Sequence, residues 1–241
     1  DALPIYHRFA TRIYATGPVR DGVLRGDILV VGSGDPSISG RYDTDTQTTA
    51  ILAEWAGAVR KAGIRRVEGA VIGDDDVFDE SHVAGSWQLD YYQAWYAAEN
   101  SGLAINENCY DVLIRPGAKP GDKARLALQI PTRYITLRNE VVTTGPAGRR
   151  GGDPSIEFER TLEGNVVTVK GAIPSDLPEH RVWGGVRNGT LYTATLFAEE
   201  LARRGVRVRG GAADIDVLAD KDARRAEEKR ALGAQSQSVS V

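Results

Sequence analysis

The chain has 241 residues, enough to bury a sizeable core as one large domain or two smaller ones. Hydrophobic residues make up 41% and charged residues 26%, ordinary values for a globular protein. The formal net charge of −3 leaves no basic field with which to grip nucleic acid, and no apolar run is long enough to span a membrane. A single cysteine, Cys109, rules out an internal disulfide, which is compatible with the cytoplasm and does not exclude an export compartment. The sequence opens on Asp1, contains no Met and ends on Ser-Gln-Ser-Val-Ser-Val in mid-pattern, so it reads as a piece of a longer protein.

The elements are predicted in chain order. Residues 9–16 alternate with a period of two and predict a strand. Asp21-Gly22 sits between two strand-like runs and predicts a hairpin. Residues 47–62 place Ile51, Leu52, Trp55, Val59 and Ala62 on one helical stripe, with Thr48 or Thr49 as the cap and Gly63 as the left-handed stop. "IRRVEGAVIGD" then reads as one buried strand. The same grammar returns in "LYTATLFAEELARRG", a helix ended by Gly205, followed by "VRVRGGAADIDV" as the next strand. Further strands are expected at 108–115, 123–130, 132–144 and 165–173, with a Gly-rich polar loop over 143–155. Residues 218–232 are dense in charge and read as a solvated helix or linker.

Chemistry-bearing patterns are few. "GDILVVGSGDPS", residues 26–37, lacks the third glycine of a dinucleotide fingerprint, the Gly-Lys-Ser/Thr of a phosphate loop and the Gly-x-Ser-x-Gly of a nucleophile elbow. It reads as a strand ending in a turn, with glycine supplying positive φ and Asp35 bonding its own backbone. A nucleotide-binding domain would rest on this defective pattern alone. His7, His82 and His180 are dispersed, and no metal site or cofactor is expected from them. Asp74, Asp75, Asp76, Asp79 and Glu80 match a calcium loop poorly; charges solvating a strand end is the favoured reading, with a weak cation site as the alternative. Residues 85–108 concentrate Trp87, Tyr91, Tyr92, Trp95 and Tyr96 around Asp90. Aromatic walls with one carboxylate suit an amine-bearing ligand, although an aromatic core wedge under a long loop is the commoner arrangement.

Several segments resemble, in order, the S13 serine peptidases, the D-alanyl-D-alanine carboxypeptidase/endopeptidases of the penicillin-binding protein 4 or DacB type. They are "HRFATRIYATG", "DGVLRGDILVVGSGDPSI", "AGIRRVEGAVIGDDDVFD", "GSWQLDYYQAWYAAENSGLAINENCYDV" and "LFAEELARRGVRVRGG". The resemblance implies an α+β fold: the accessory part of a penicillin-binding, transpeptidase-like enzyme whose sequence is interrupted by inserted domains. A β-rich split domain is expected over 1–40 and 106–213, an α/β insert carrying the aromatic segment over 41–105, and a charged return over 214–241. The family's chemistry rests on Ser-x-x-Lys, Ser-x-Asn and Lys-Thr-Gly, and none of the three occurs in these residues.

What the resemblance carries over is substrate recognition. Trp87, Asp90, Trp95 and Tyr96 match the aromatic run over the family's cleft, where an acidic residue meets the free amine of a peptidoglycan stem peptide. The implied partners are that peptide and, through the parent protein, β-lactams. The implied location is periplasmic or extracytoplasmic. A stand-alone binding or scaffold module of the same architecture is the competing expectation. Two departures from the family stand out: Trp95 replaces a frequent Tyr, and the acidic position shifts by one in some relatives, where this chain has Tyr91.

Overall fold

The computed structural model describes residues 9–39, 49–78, 82–83, 85, 91–147, 153–219 and 230–235. The chain is strand-rich α+β with two α-helices among the described residues. Its contacts divide it into two compact units, Asp1–Ala84 with Asn100–Asn108 and Asn188–Val241, and Gly85–Glu99 with Cys109–Arg187.

The first unit starts with β1 (Thr11–Ala15), β2 (Val19–Arg20), β3 (Val23–Leu24) and β4 (Ile28–Val31). Asp21 and Gly22 both have positive φ, 51° and 75°, and β2 pairs antiparallel with β3 across them, the predicted two-residue hairpin. Then come α1 (Ala50–Lys61), β5 (Arg66–Val67) and β6 (Val71–Asp74). The unit closes with α2 (Gly189–Arg203), β13 (Arg207–Val208), β14 (Ala212–Asp214) and β15 (Arg230–Gln235). One sheet runs β14-β6-β4-β1-β15 and the other β13-β5-β3-β2.

Each stretch read as a single strand after a helix is therefore two strands in two sheets. Where the chain passes from one sheet to the other, a glycine stands: Gly17, Gly26, Gly69 and Gly210. A Cβ on Gly69 would lie 2.1 Å from Asp27 Oδ1, and one on Gly210 would lie 2.8 Å from the Gly69 backbone. The Gly69 amide donates to the Gly26 carbonyl (3.0 Å), Gly210 to Gly69 (2.8 Å) and Ala70 to Asp27 Oδ1 (2.7 Å). Backbones this close leave no room for a side chain, so the crossing is written in glycine.

The helices bury the stripes that their periodicity sets. Ile51, Leu52, Trp55, Ala56 and Val59 of α1 are buried, and Trp55 meets Phe197 of α2 edge-on at 5.5 Å. Helix α2 packs on β6 and β14, while Leu29, Ile72 and Ile215 form a compact apolar cluster with Tyr14 and Leu218 against it. Gly63 and Gly205 stop the helices at φ of +83° and +80°. Thr49 stands at the N-cap of α1 without a side-chain cap bond, and Thr48 lies outside the described residues.

The second unit contains β7 (Cys109–Arg115), β8 (Arg125–Leu128), β9 (Thr136–Thr144), β10 (Ser155–Arg160), β11 (Val166–Pro174) and β12 (His180–Gly185). They form two sheets, β10-β11-β9 and β12-β7-β8, with β11 and β9 parallel. Strands β10 and β12 were not foreseen, although "SIEFER" alternates in period two. Residues 230–235 are a strand on β1, not part of a helix or linker; their own charge is confined to Arg230, and backbone pairing decides the state. Residues 220–229 lie outside the described residues.

Two glycines separate packing from propensity. Gly57 lies mid-helix in α1 with nothing within 4 Å of an added Cβ, so Gly57→Ala should stabilise the chain by about 0.5–1 kcal/mol. Gly69→Ala should destabilise it by roughly 1–3 kcal/mol or more through forced displacement of Asp27. Urea unfolding of the 241-residue chain checks both, and equal effects would refute the close-approach account.

Candidate functional site

The aromatic segment belongs to the second unit. Trp87 and Asp90 lie outside the described residues. From Tyr91 onward the backbone turns tightly, with Ala94 N–H donating to the Tyr91 carbonyl (2.8 Å), and a short 3-10 turn covers Trp95–Ala97. The segment adds to the free edge of β12. Ala94 bridges Gly184, and the Gly185 amide donates to the Gln93 carbonyl at 2.9 Å. A Cβ at Gly184 would stand 2.7 Å from the Gln93 carbonyl and 2.6 Å from the Tyr110 hydroxyl. The Gly-Gly end of β12 is what lets the segment dock there.

Its other anchor is Arg160, the last residue of β10. Arg160 is 2% exposed. Its guanidinium donates to the carbonyls of Tyr92 (2.7 Å), Gly164 (3.0 Å) and Thr161 (3.2 Å), and lies 5.1 Å from the centre of the Tyr92 ring. The Tyr92 hydroxyl donates in return to the Arg160 carbonyl, and the Arg160 amide donates to Gln93 Oε1 at 2.8 Å. Burial pushes the guanidinium below its usual pKa, with Glu99 and the Tyr110 and Tyr92 hydroxyls pulling the other way. Burial likewise pushes the Tyr110 hydroxyl up. A charge kept so far from water is tolerated because carbonyl oxygens replace its hydration.

The rings above this anchor face outward. Tyr91, Trp95 and Tyr96 are 41%, 50% and 58% exposed. Tyr96 packs edge-on against both Tyr91 (5.8 Å) and Trp95 (5.7 Å), and Trp95 leans on Trp183 at 6.2 Å. Among the described rings of this segment, Tyr92 alone turns inward, to Arg160. The reading of the whole run as a core wedge therefore fits Tyr92 and not Trp95 or Tyr96. Sequence reasoning missed Arg160, Trp183 and the Gly184-Gly185 pair. The alternation of "SIEFER" and the double glycine after Trp183 were the available signals.

In the first unit, the Gly-Ser-Gly-Asp-Pro stretch is the expected turn. Gly34 has φ of +78°, and Asp35 Oδ1 accepts from the Ser37 amide (2.9 Å) and hydroxyl (2.6 Å). Ser33 Oγ accepts from the Ala10 amide at 2.7 Å. A Cβ on Gly32 would strike the Gly102 carbonyl at 2.1 Å, so this turn is seated on residues 101–103. Beyond it, Asn106, Glu107 and Asn108 take left-handed φ of 52°, 57° and 53°, held by Asn106 N–H to the Ile38 carbonyl, Ser39 Oγ to Glu107 and Asn108 Nδ2 to Ser101 Oγ. Asparagine tolerates that region better than other side chains.

The acidic run divides. Asp74 and Asp75 are buried at 6% and 4% exposure, which corrects their reading as solvating charges; Asp76 is exposed. Asp79, Glu80 and His7 lie outside the described residues. His82 Nδ1 lies 3.0 Å from the Asn100 carbonyl, and His180 sits in β12 opposite Ile114.

Comparison with known proteins places the chain in a family. The D-Ala-D-Ala carboxypeptidase 3 (S13) family profile matches residues 2–227. A D-alanyl-D-alanine carboxypeptidase of Actinomadura sp. (strain R39) is 27% identical over 230 residues, covering 89% of this chain and 40% of its own length. The carboxypeptidase DacB of Haemophilus influenzae is 22% identical over 217 residues, 87% of this chain and 41% of its own. The chain thus spans about two fifths of the curated relatives it matches. The crystal structure of H. influenzae penicillin binding protein 4 (dacB) superposes with a TM-score of 0.70 at 16% identity, covering 95% of this chain and 46% of that one. The same protein complexed with a β-lactam gives a TM-score of 0.60 at 16% identity, with 95% and 44% covered. The chain belongs to the D-Ala-D-Ala carboxypeptidase 3 (S13) family of peptidases.

Proposed function

We propose that this chain is the accessory, substrate-recognising part of a serine-type D-Ala-D-Ala carboxypeptidase/endopeptidase that acts on peptidoglycan stem peptides outside the cytoplasm. The observation that carries this reading is the outward-facing set Tyr91, Trp95 and Tyr96, fixed from beneath by Arg160. In the proposed reaction a serine oxygen supplied outside these 241 residues attacks the carbonyl of the penultimate D-Ala. The terminal D-Ala leaves with a proton, and water then hydrolyses the acyl-enzyme. The absence of Ser-x-x-Lys, Ser-x-Asn and Lys-Thr-Gly from the sequence supports assigning recognition, not bond cleavage, to this part.

In this reading Trp87, Trp95 and Tyr96 wall the stem-peptide side chain, and Asp90 meets its ammonium group. Rings hold the methylenes and, through their faces, the cation; the carboxylate fixes the charge. The β-rich and α/β portions serve as the scaffold that presents this segment.

Labelled penicillin should acylate the full-length parent and leave the 241-residue chain unlabelled; covalent labelling of this chain alone would overturn the division of labour. Acylation of neither would favour the binding or scaffold module. Asp90→Asn in the parent should cost roughly 2–5 kcal/mol in kcat/KM on amine-bearing stem peptides and far less on N-acetylated ones. Equal losses on both would remove Asp90 from amine recognition. Arg160→Lys should raise KM for the peptide several-fold while penicillin acylation persists, because one ammonium cannot reach the Tyr92, Thr161 and Gly164 carbonyls together and about 1.5–3 kcal/mol attaches to each charged hydrogen bond. An unchanged KM would refute the anchoring role.

A further inference from the structure

Strands β6 and β14 are parallel neighbours, with Ile72 opposite Ala213 and Gly73 opposite Asp214. Their carboxyl ends therefore emerge side by side. Asp75 and Asp76 follow β6, and Asp216 follows β14 in the 3-10 turn Ile215–Val217. Asp214 caps that turn by accepting from the Asp216 amide (3.0 Å), and its second oxygen accepts from Asn188 Nδ2 (2.7 Å), the side chain that also caps α2. One carboxylate oxygen each from Asp75, Asp76 and Asp216 lies within 4.8 Å of the other two.

Proximity of acidic groups is not itself a site; what marks this one is its buried wall. Asp75 is 4% exposed, and its Oδ1 has no hydrogen-bond partner. Thr190, in the first turn of α2, is 2% exposed, and its hydroxyl lies near enough to the Asp75 carboxylate to favour the ionised form while falling short of full hydrogen-bonding geometry. Gly73 makes this approach possible, since a Cβ there would lie 2.7 Å from Thr190 Cγ2. The charges acting on Asp75 include Asp214 and Asp216, both repulsive, and His82, which attracts. A buried carboxylate oxygen left without a hydrogen bond, in a residue that meets two further carboxylates, calls for a cation.

We propose that Asp75, Asp76 and Asp216, with the Thr190 hydroxyl behind them, bind a hard divalent cation of the calcium class. All the donors are oxygen, which selects hard ions over zinc or copper. Oxygens sharing one Ca²⁺ at 2.3–2.6 Å stand at most about 5 Å apart, and the separations here fall inside that span. Magnesium demands a near-ideal octahedron at about 2.0–2.1 Å and gives up its water reluctantly, whereas calcium accepts irregular oxygen sets, so calcium is the ion proposed. Asp75 and Thr190 form the inner wall, while Asp76 is exposed and Asp216 half-buried, so the ion enters from solvent and retains water on that side. Bound there, it ties the end of β6 to the turn after β14 and to the start of α2, independently of any peptidase activity.

The test uses the 241-residue chain freed of metal with chelator and titrated with calcium, magnesium or manganese chloride at constant ionic strength. Calcium should raise the melting temperature saturably and bind one ion per chain by calorimetry, with half-saturation of order 10⁻⁴–10⁻³ M for a partly hydrated site. At ten times the dissociation constant the folding equilibrium should shift about tenfold. Asp216→Asn, at a half-buried position, should melt like the wild type without metal and lose at least tenfold in calcium affinity. Asp75→Asn should also lose the response, and the exposed Asp153→Asn should keep it. No saturable response to calcium, tighter binding of magnesium than calcium, or an undiminished response in Asp216→Asn would overturn the assignment.

Discussion

A guanidinium almost wholly removed from water holds the aromatic segment of this protein in place. Arg160 spends its donors on main-chain carbonyls of residues 92, 161 and 164. Burying a charge is tolerable because both terminal nitrogens bond carbonyls, although Nε has no partner, and these bonds also fix where the partners sit. Because Tyr92 is drawn inward by Arg160, the adjoining Tyr91, Trp95 and Tyr96 are left on the outside, where a ligand can reach them. One buried ion thus divides a run of aromatics into an anchor and a presenting surface. The glycine end of β12 completes the arrangement by accepting the segment as an added strand edge.

The other unit obeys a steric rule. Its strands pass between two sheets at Gly17, Gly26, Gly69 and Gly210, where neighbouring backbones leave a Cβ little or no room. Parallel pairing of β4, β6 and β14 then gathers several strand ends along one edge, beside the start of α2. Buried carboxylates collect there for a topological reason: strand ends and a helix start converge, and the loops between them carry the polar residues. The stretch Ser101–Asn108 finds its account here as well. Ser101 and Asn108 bond each other, and Asn106 and Asn108 sustain a left-handed turn that few other residues would accept.

Much of the fold was legible in the sequence because the signals were local. The hairpin at Asp21-Gly22, both helices, their glycine stops and the Asp35 turn all depend on φ preferences or on a period of 3.6. The splitting of "IRRVEGAVIGD" and "VRVRGGAADIDV" was not legible. An isolated glycine in a strand reads as a weakness, and only the neighbouring strand shows that it is a close approach. Strand β15 escaped because pairing with β1, not its own propensity, sets its state. The inward turn of Tyr92 and the role of Arg160 depend on residues 68 apart in sequence, a separation at which no periodicity operates.

The sequence by itself determined the element types, the turns and the family, since propensity, glycine placement and ordered motifs act within a few residues of one another. The tertiary structure alone decided which aromatic is anchored and which are presented, and which carboxylates meet. Those outcomes follow from long-range packing and from the desolvation of charged groups, and both arise only when distant segments exclude water together.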